Sequence, residues 1–189
     1  MTDTFLYTAG EDTFLFRPLS PEDNPAVAHV IRSAFIEFNA PRHHSVYDDP
    51  ETGALSEVFK AEGSGYWVVE WQGKVYAGCG FYPTKGLPEG MVEIVKFYAL
   101  PEVRGKGVGT ALFRFVEQQA KRSGYTRCYL ESIPEFGNAV SLYHRQGYKE
   151  LPGPIGQSGH TAMTGNGIAP PLILMPKALP IHLEISGMP

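Results

Sequence analysis

Between Ser20 and Asn39 the apolar positions Val27, Val30, Ile31, Ala34, Phe35 and Phe38 recur three and four residues apart. That period predicts an amphipathic helix entered through the turn-forming stretch Ser20 to Pro25. A second apolar group, Leu55, Val58 and Phe59, predicts a short helix within residues 51–60. Elsewhere the pattern is β-rich. Residues 13–19, TFLFRPL, read as a strand stopped by Pro18, and residues 66–71 and 74–83 read as a hairpin turning at Gln72-Gly73. Residues 91–100, MVEIVKFYAL, form a long β-rich run that ends at Pro101. Val108, Ala111, Leu112, Phe115, Val116 and Ala120 then return at helical spacing until Gly124. Residues 126–132 predict another strand and residues 137–146 a short helix ended by Gly147. Residues 161–164 and 171–176 predict a last pair of strands around Gly165-Asn166-Gly167. Residues 1–12 are small and polar without a period and read as a leader, and residues 179–189 read as a tail. The fold class is therefore α/β, with one domain over residues 13–178.

Composition narrows the function. The 189 residues carry 43% hydrophobic and 19% charged side chains, enough to bury the core of one domain. A net charge of −4 is the wrong balance for a nucleic-acid binder, which carries a basic stripe. No apolar run reaches the roughly 20 residues of a membrane-spanning helix. Cys79 and Cys128 stand far apart with no second ligand pair, so reduced thiols and a cytoplasmic location are the expectation. His43-His44 have no third ligand at a recognisable spacing, and no metal is expected.

The chemistry concentrates at residues 101–113, PEVRGKGVGTALF. Gly105, Gly107 and Gly109 open the backbone N–H groups of a loop that runs into a helix start, which makes an anion nest. Lys106 and Arg104 would add to its field, and Thr110 offers a hydroxyl in the first turn. The plain alternative is a glycine-rich turn that only lets strand and helix pack. A nucleoside-triphosphate loop needs G-x-x-x-x-G-K-[ST], and here the lysine precedes the last two glycines. A dinucleotide loop needs a third glycine where Thr110 stands, at the start of a βαβ series rather than in mid-domain.

Arg104, Gly107 and Gly109 satisfy R-x-x-G-x-G directly after FYALP, and AVSLYHRQGY follows as residues 139–148. On these two blocks the chain resembles the GNAT superfamily of N-acetyltransferases over roughly residues 13–178. Its motifs are Q/R-x-x-G-x-G/A and A-x-x-L-Y-x-x-x-G-F/Y. Phe136 stands where many members carry an Asn three residues before the alanine, and Asn138 adjoins Ala139. Glu93, Lys96 and Tyr98 match an E-x-x-K-x-Y pattern of bacterial members, which also carry a late Gly-His pair, here Gly159-His160.

The resemblance implies a mixed, mostly antiparallel sheet with a splayed fourth strand, flanked by helices. It implies acetyl-CoA as co-substrate, held by Tyr98, Ala99 and Leu100 along the pantetheine arm, by Arg104, Gly105, Lys106, Gly107, Val108, Gly109 and Thr110 at the pyrophosphate, and by Asn138. It places Tyr143 near the sulfur as proton donor. An amine attacking a thioester must lose a proton, because free alkylamines are mostly protonated at neutral pH. Glu93, upstream on the fourth strand, is the candidate base; a cross-strand ion pair is its plain alternative, as core packing is for Tyr143. Lys96 lies three positions from Glu93, so a regular strand places the two on opposite faces and a bulge brings them together. Lys96 and His160 are candidate substrate residues, and Glu131 is read as capping a turn. Phe35, Phe38 and Tyr47 either line the acceptor pocket or fill the core. The expected partner is a small-molecule or peptide amine acceptor, with no nucleic acid and no membrane, and a homodimer is common in the resembled family. The alternative to an acetyltransferase is a non-catalytic acyl-CoA-binding sensor that keeps the loop alone.

Overall fold

The computed structural model describes residues 4–43, 45–157 and 172–178. Strands β1 (Phe5–Ala9) and β2 (Asp12–Pro18) lead into helix α1 (Asn24–Glu37) and a short α2 (Leu55–Val58). Strands β3 (Gly65–Trp71), β4 (Lys74–Tyr82) and β5 (Met91–Ala99) follow, then α3 (Val108–Arg122), β6 (Arg127–Ser132), α4 (Gly137–Arg145) and β7 (Leu172–Ala178). The seven strands form one sheet in chain order, antiparallel throughout except for the parallel pair β5 and β6 that α3 connects.

Alternation along the strands supplies the two faces. Phe14, Phe16, Trp67, Val69, Cys79 and Phe81 pack under α3 with Val108, Leu112, Phe115 and Val116. Tyr66 and Val68 face the other way, against Val27, Ile31 and Phe35 of α1. Gln72 and Gly73 take φ of 50° and 74°, the paired positive values that a two-residue hairpin turn demands, so the predicted β3–β4 hairpin forms.

Residues 5–9, expected within a leader, form strand β1 instead. Phe5 stacks on Phe115 with centroids 5.9 Å apart and meets Phe16 edge-on at 5.5 Å, so residues 5–9 belong to the sheet and its core. The strand counted fourth from the sequence is consequently the fifth. Residues 158–171 and 179–189, which contain the first predicted strand of the last pair, Gly159-His160 and the tail, lie outside the described residues.

Two irregularities shape β5. Pairing with β6 covers only Met91↔Arg127, Val92↔Cys128 and Glu93↔Tyr129, after which the two strands part. On the other side, Gly78 pairs with Tyr98 and Gly80 with Val95, so Lys96 and Phe97 oppose the single residue Cys79. This is a β-bulge, and Lys96 sits in it at φ 51°. The hydroxyl of Tyr66 donates to the Lys96 carbonyl at 3.0 Å, and the absence of a Cβ at Gly78 makes room for the tyrosine ring.

Candidate active site

The glycine loop is built by its backbone. Gly105 and Gly107 take φ of 74° and 77°, and Gly107 is the residue before α3. The first helical bond runs from the Ala111 N–H to the Gly107 carbonyl at 3.0 Å, which leaves the N–H groups of Val108, Gly109 and Thr110 with no acceptor inside the helix. Helix-start donors of this kind suit an anion. The loop is braced from β1, where the Tyr7 hydroxyl donates to the Lys106 carbonyl at 3.1 Å.

Cations near the loop do not stand where the motif suggests. The Lys106 ammonium lies 2.6 Å from Asp12 Oδ2 and 4.6 Å above the Trp71 ring, so its charge is spent on the N-terminal hairpin. Arg104 donates to both carboxylate oxygens of Glu37, at 2.5 and 2.8 Å, and to the Ala99 carbonyl at 2.7 and 3.0 Å. This guanidinium holds the Glu37 carboxyl below the usual range, chiefly by its hydrogen bonds. Val108 is fully buried, so only its backbone faces the loop. Leu100 also departs from its expected role: its N–H donates to the Tyr76 carbonyl at 2.8 Å, inside the sheet, and it does not line the cavity.

The parting of β5 from β6 opens a cavity of about 680 Å³. Its walls bring together Glu93, Lys96, Tyr98 and Ala99 from β5 with Arg104, Gly105, Gly107, Gly109 and Thr110 from the loop. Asn138 and Tyr143 join them from α4. That helix is fixed to α3 through Arg114 Nε, which donates to Gln146 Oε1 at 2.8 Å, and through Tyr148, which donates to the buried Glu117 at 2.9 Å. Tyr143 is 6% exposed, its ring 5.3 Å from that of Phe113 and 6.2 Å from that of Phe97. Burial, first, and then the neighbouring Cys79 and Tyr98 push its hydroxyl well above the ordinary tyrosine value, so it stays protonated.

Glu93 is buried, and the hydroxyl of Thr84 donates to its Oε2. Because of the bulge, Lys96 and Glu93 face the same cavity. The Lys96 side chain is 9% exposed, with Nζ 3.9 Å from Asp49 Oδ2. Burial pulls its ammonium below the ordinary lysine value, against the opposing pull of Asp49, Glu51 and Glu93. Asp49 and Thr84 were invisible as site residues in the sequence; the only hint at Asp49 is its place before Pro50, where its side chain accepts from the Glu51 N–H and starts a 3-10 turn.

Phe35 and Phe38 line the cavity together with Phe136, whose ring stands edge-on to both at 5.3 and 5.8 Å. Tyr47 packs behind Phe35 at 6.1 Å. Glu131, expected to cap a turn, lines the cavity instead and accepts from the Tyr129 hydroxyl at 2.6 Å. His160 lies outside the described residues.

The sequence matches the family described as Acetyltransferase (GNAT) family over residues 27–148. It is 36% identical over 148 residues to the uncharacterized N-acetyltransferase YjgM of Escherichia coli, covering 77% of this chain and 88% of that protein. It is 33% identical over 90 residues to N-acetyltransferase 8 of Rattus norvegicus, covering 47% of this chain but only 40% of the rat protein. Among solved structures, yncA of Salmonella typhimurium, determined with its cofactor acetyl-CoA, superposes with a TM-score of 0.68 at 20% identity, over 90% of this chain and 96% of that one. The ribosomal-protein-alanine N-acetyltransferase of Brucella melitensis gives 0.66 at 20% identity, over 86% and 98%. The loop, the parted strands and these matches agree: the chain belongs to the GNAT family of acetyltransferases.

Proposed function

We propose that the chain transfers the acetyl group of acetyl-CoA to a primary amine by direct attack of that amine on the thioester. The observation that carries the reading is one cavity lined both by the helix-start loop and by the buried acid Glu93, at the place where β5 leaves β6. Its volume of about 680 Å³ lies within the usual range of small-molecule sites.

The residues present fit the co-substrate. The N–H groups of Val108, Gly109 and Thr110 take the pyrophosphate, and Asn138 lies beside its path. The backbone of Tyr98 and Ala99 beyond the parting point pairs with the pantetheine arm as an added strand would. Arg104 donates to the Ala99 carbonyl, which supports its reading as a brace of the cradle. The acceptor amine enters past Phe35, Phe38 and Phe136, and Lys96 stands at the acceptor end of the cavity. Glu93, oriented by Thr84, takes the proton that the amine must lose. Tyr143, protonated through the whole working range, gives a proton to the leaving thiolate.

The test is coenzyme A release from acetyl-CoA across a library of amines, followed by rate profiles of the wild type and Glu93→Gln on one accepted amine. The Gln variant loses rate most at about pH 6 and least near pH 10, where the amine deprotonates without help. Parallel profiles remove Glu93 as the base. A melting-temperature rise with acetyl-CoA but no amine-dependent release identifies a binding module instead.

A further inference from the structure

We propose that Lys96 is a self-acetylation site: its Nζ attacks the thioester of acetyl-CoA held along β5 of the same chain, giving Nε-acetyl-lysine and coenzyme A. The inference rests on the acetyl-CoA reading above.

Lys96 is the lysine among the cavity's described lining residues. It stands two residues before Tyr98, so its Cα lies within about 7 Å of the backbone proposed to carry the pantetheine arm. A lysine spans such a gap. The left-handed backbone is costly for a long side chain, and the bulge that imposes it is held from outside by Tyr66 through the Lys96 carbonyl. Its effect is to turn the Lys96 side chain to the side of Glu93 and into the cavity. The charged groups around the ammonium are Asp49, Glu51 and Glu93. At 3.9 Å, Asp49 gives a loose ion pair rather than a tight hydrogen bond that would pin the nitrogen.

Burial also separates Lys96 from surface lysines in two opposite ways. With 9% of its side chain exposed it is poorly placed to meet a donor from bulk solvent. The same burial favours the neutral amine that an acyl donor bound in the cavity requires. In the transfer the Nζ–C bond forms and the C–S bond breaks. Of the two protons the ammonium loses, one passes through Glu93 to solvent; the other, through water, replaces the proton that Tyr143 gives to the thiolate. The product is neutral and bulkier than the ammonium, so it fills acceptor space and removes the positive charge facing Asp49 and Glu93. Turnover on an external amine then falls when acetyl-CoA has been present without acceptor.

The experiment incubates the full chain with acetyl-CoA and no amine, and follows intact mass and acetylated peptides over time. One acetyl group per chain accumulates at Lys96, at least about tenfold faster than at the exposed Lys74 and Lys149, because the donor is positioned. Lys96→Arg shows no such fast phase. Acetylation at Lys96 no faster than at Lys74 and Lys149, alongside a melting-temperature rise with acetyl-CoA, overturns the inference and leaves the cofactor reading standing. Absence of that rise overturns the cofactor reading, and this inference with it.

Discussion

The hydroxyl of Thr84 donates to Oε2 of Glu93, so a residue just past the end of β4 sets the orientation of the buried acid on β5. Thr84→Val keeps the shape and removes the donor. Turnover on an accepted amine is expected to fall about tenfold, the order of effect of a misplaced base, with the acetyl-CoA-induced melting shift unchanged. Thr84→Ser restores most of the rate. An undiminished rate in the Val variant, with a loss in the Ser variant alone, would show that the methyl group's packing, not the hydrogen bond, matters.

Gly107 and Gly109 separate structural from binding effects. Any Cβ at Gly107 collides with the Tyr7 hydroxyl and must adopt φ 77°, so Gly107→Val destabilises the protein before the ligand is considered. A Cβ at Gly109 meets only the Phe97 ring, at an ordinary 3.5 Å. Gly109→Asp places a carboxylate in the first turn, which suits the helix but repels a pyrophosphate. Its melting temperature without ligand is expected within about 2 °C of wild type, and the acetyl-CoA shift is lost. A retained shift would remove the loop as the anion site.

Tyr143→Phe keeps the ring that packs on Phe113 and removes the hydroxyl proposed to protonate the thiolate. Turnover is expected to drop roughly 10- to 1,000-fold while the acetyl-CoA shift persists. Single-turnover measurement of thiol release checks this, and an unchanged rate assigns Tyr143 to packing.

Alkaline stability follows from buried phenols. Tyr66, Tyr143 and Tyr148 are each held well above the ordinary tyrosine value, burial being the largest cause. The folded chain keeps three protons that the unfolded chain releases as pH passes about 10. Their contribution is intact below that pH and declines above it, at about 4 kcal/mol per pH unit for three protons. Urea midpoints between about pH 8 and 11 test this: a plateau followed by a steep fall is expected, and a flat profile would mean the hydroxyls reach water.

What was legible in the sequence is what local pattern encodes. The face of α1, the β3–β4 hairpin and the start of α3 all follow from spacing and from glycines a few residues away. Strand β1 has no local signature: its five residues alternate too briefly to outweigh their polar neighbours, and Phe5 has its partners at Phe16 and Phe115. The bulge at Lys96 has no local marker either. It depends on a tyrosine hydroxyl 30 residues earlier and on the missing Cβ of Gly78. Lys106 belongs to a phosphate motif by position, yet Asp12 and Trp71 claim its charge, and no reading of the loop alone reveals that. Motif positions defined by local backbone geometry are legible; side chains whose partners come from distant strands are not.

The brace between the N-terminal hairpin and the glycine loop also sets an order of assembly. Tyr7 reaches Lys106 across 99 residues and Asp12 reaches it across 94. The hairpin itself closes locally, but its hold on the loop requires one of the longest chain closures in the molecule, the slow kind of contact. During synthesis the glycine loop therefore gains this brace only after α3 has emerged and docked on the β1–β2 hairpin made much earlier. Deleting residues 1–9 removes both the Tyr7 brace and the packing of Phe5 on Phe115, so the shortened chain is expected to melt lower and to bind acetyl-CoA more weakly, although no residue proposed to touch the ligand is lost.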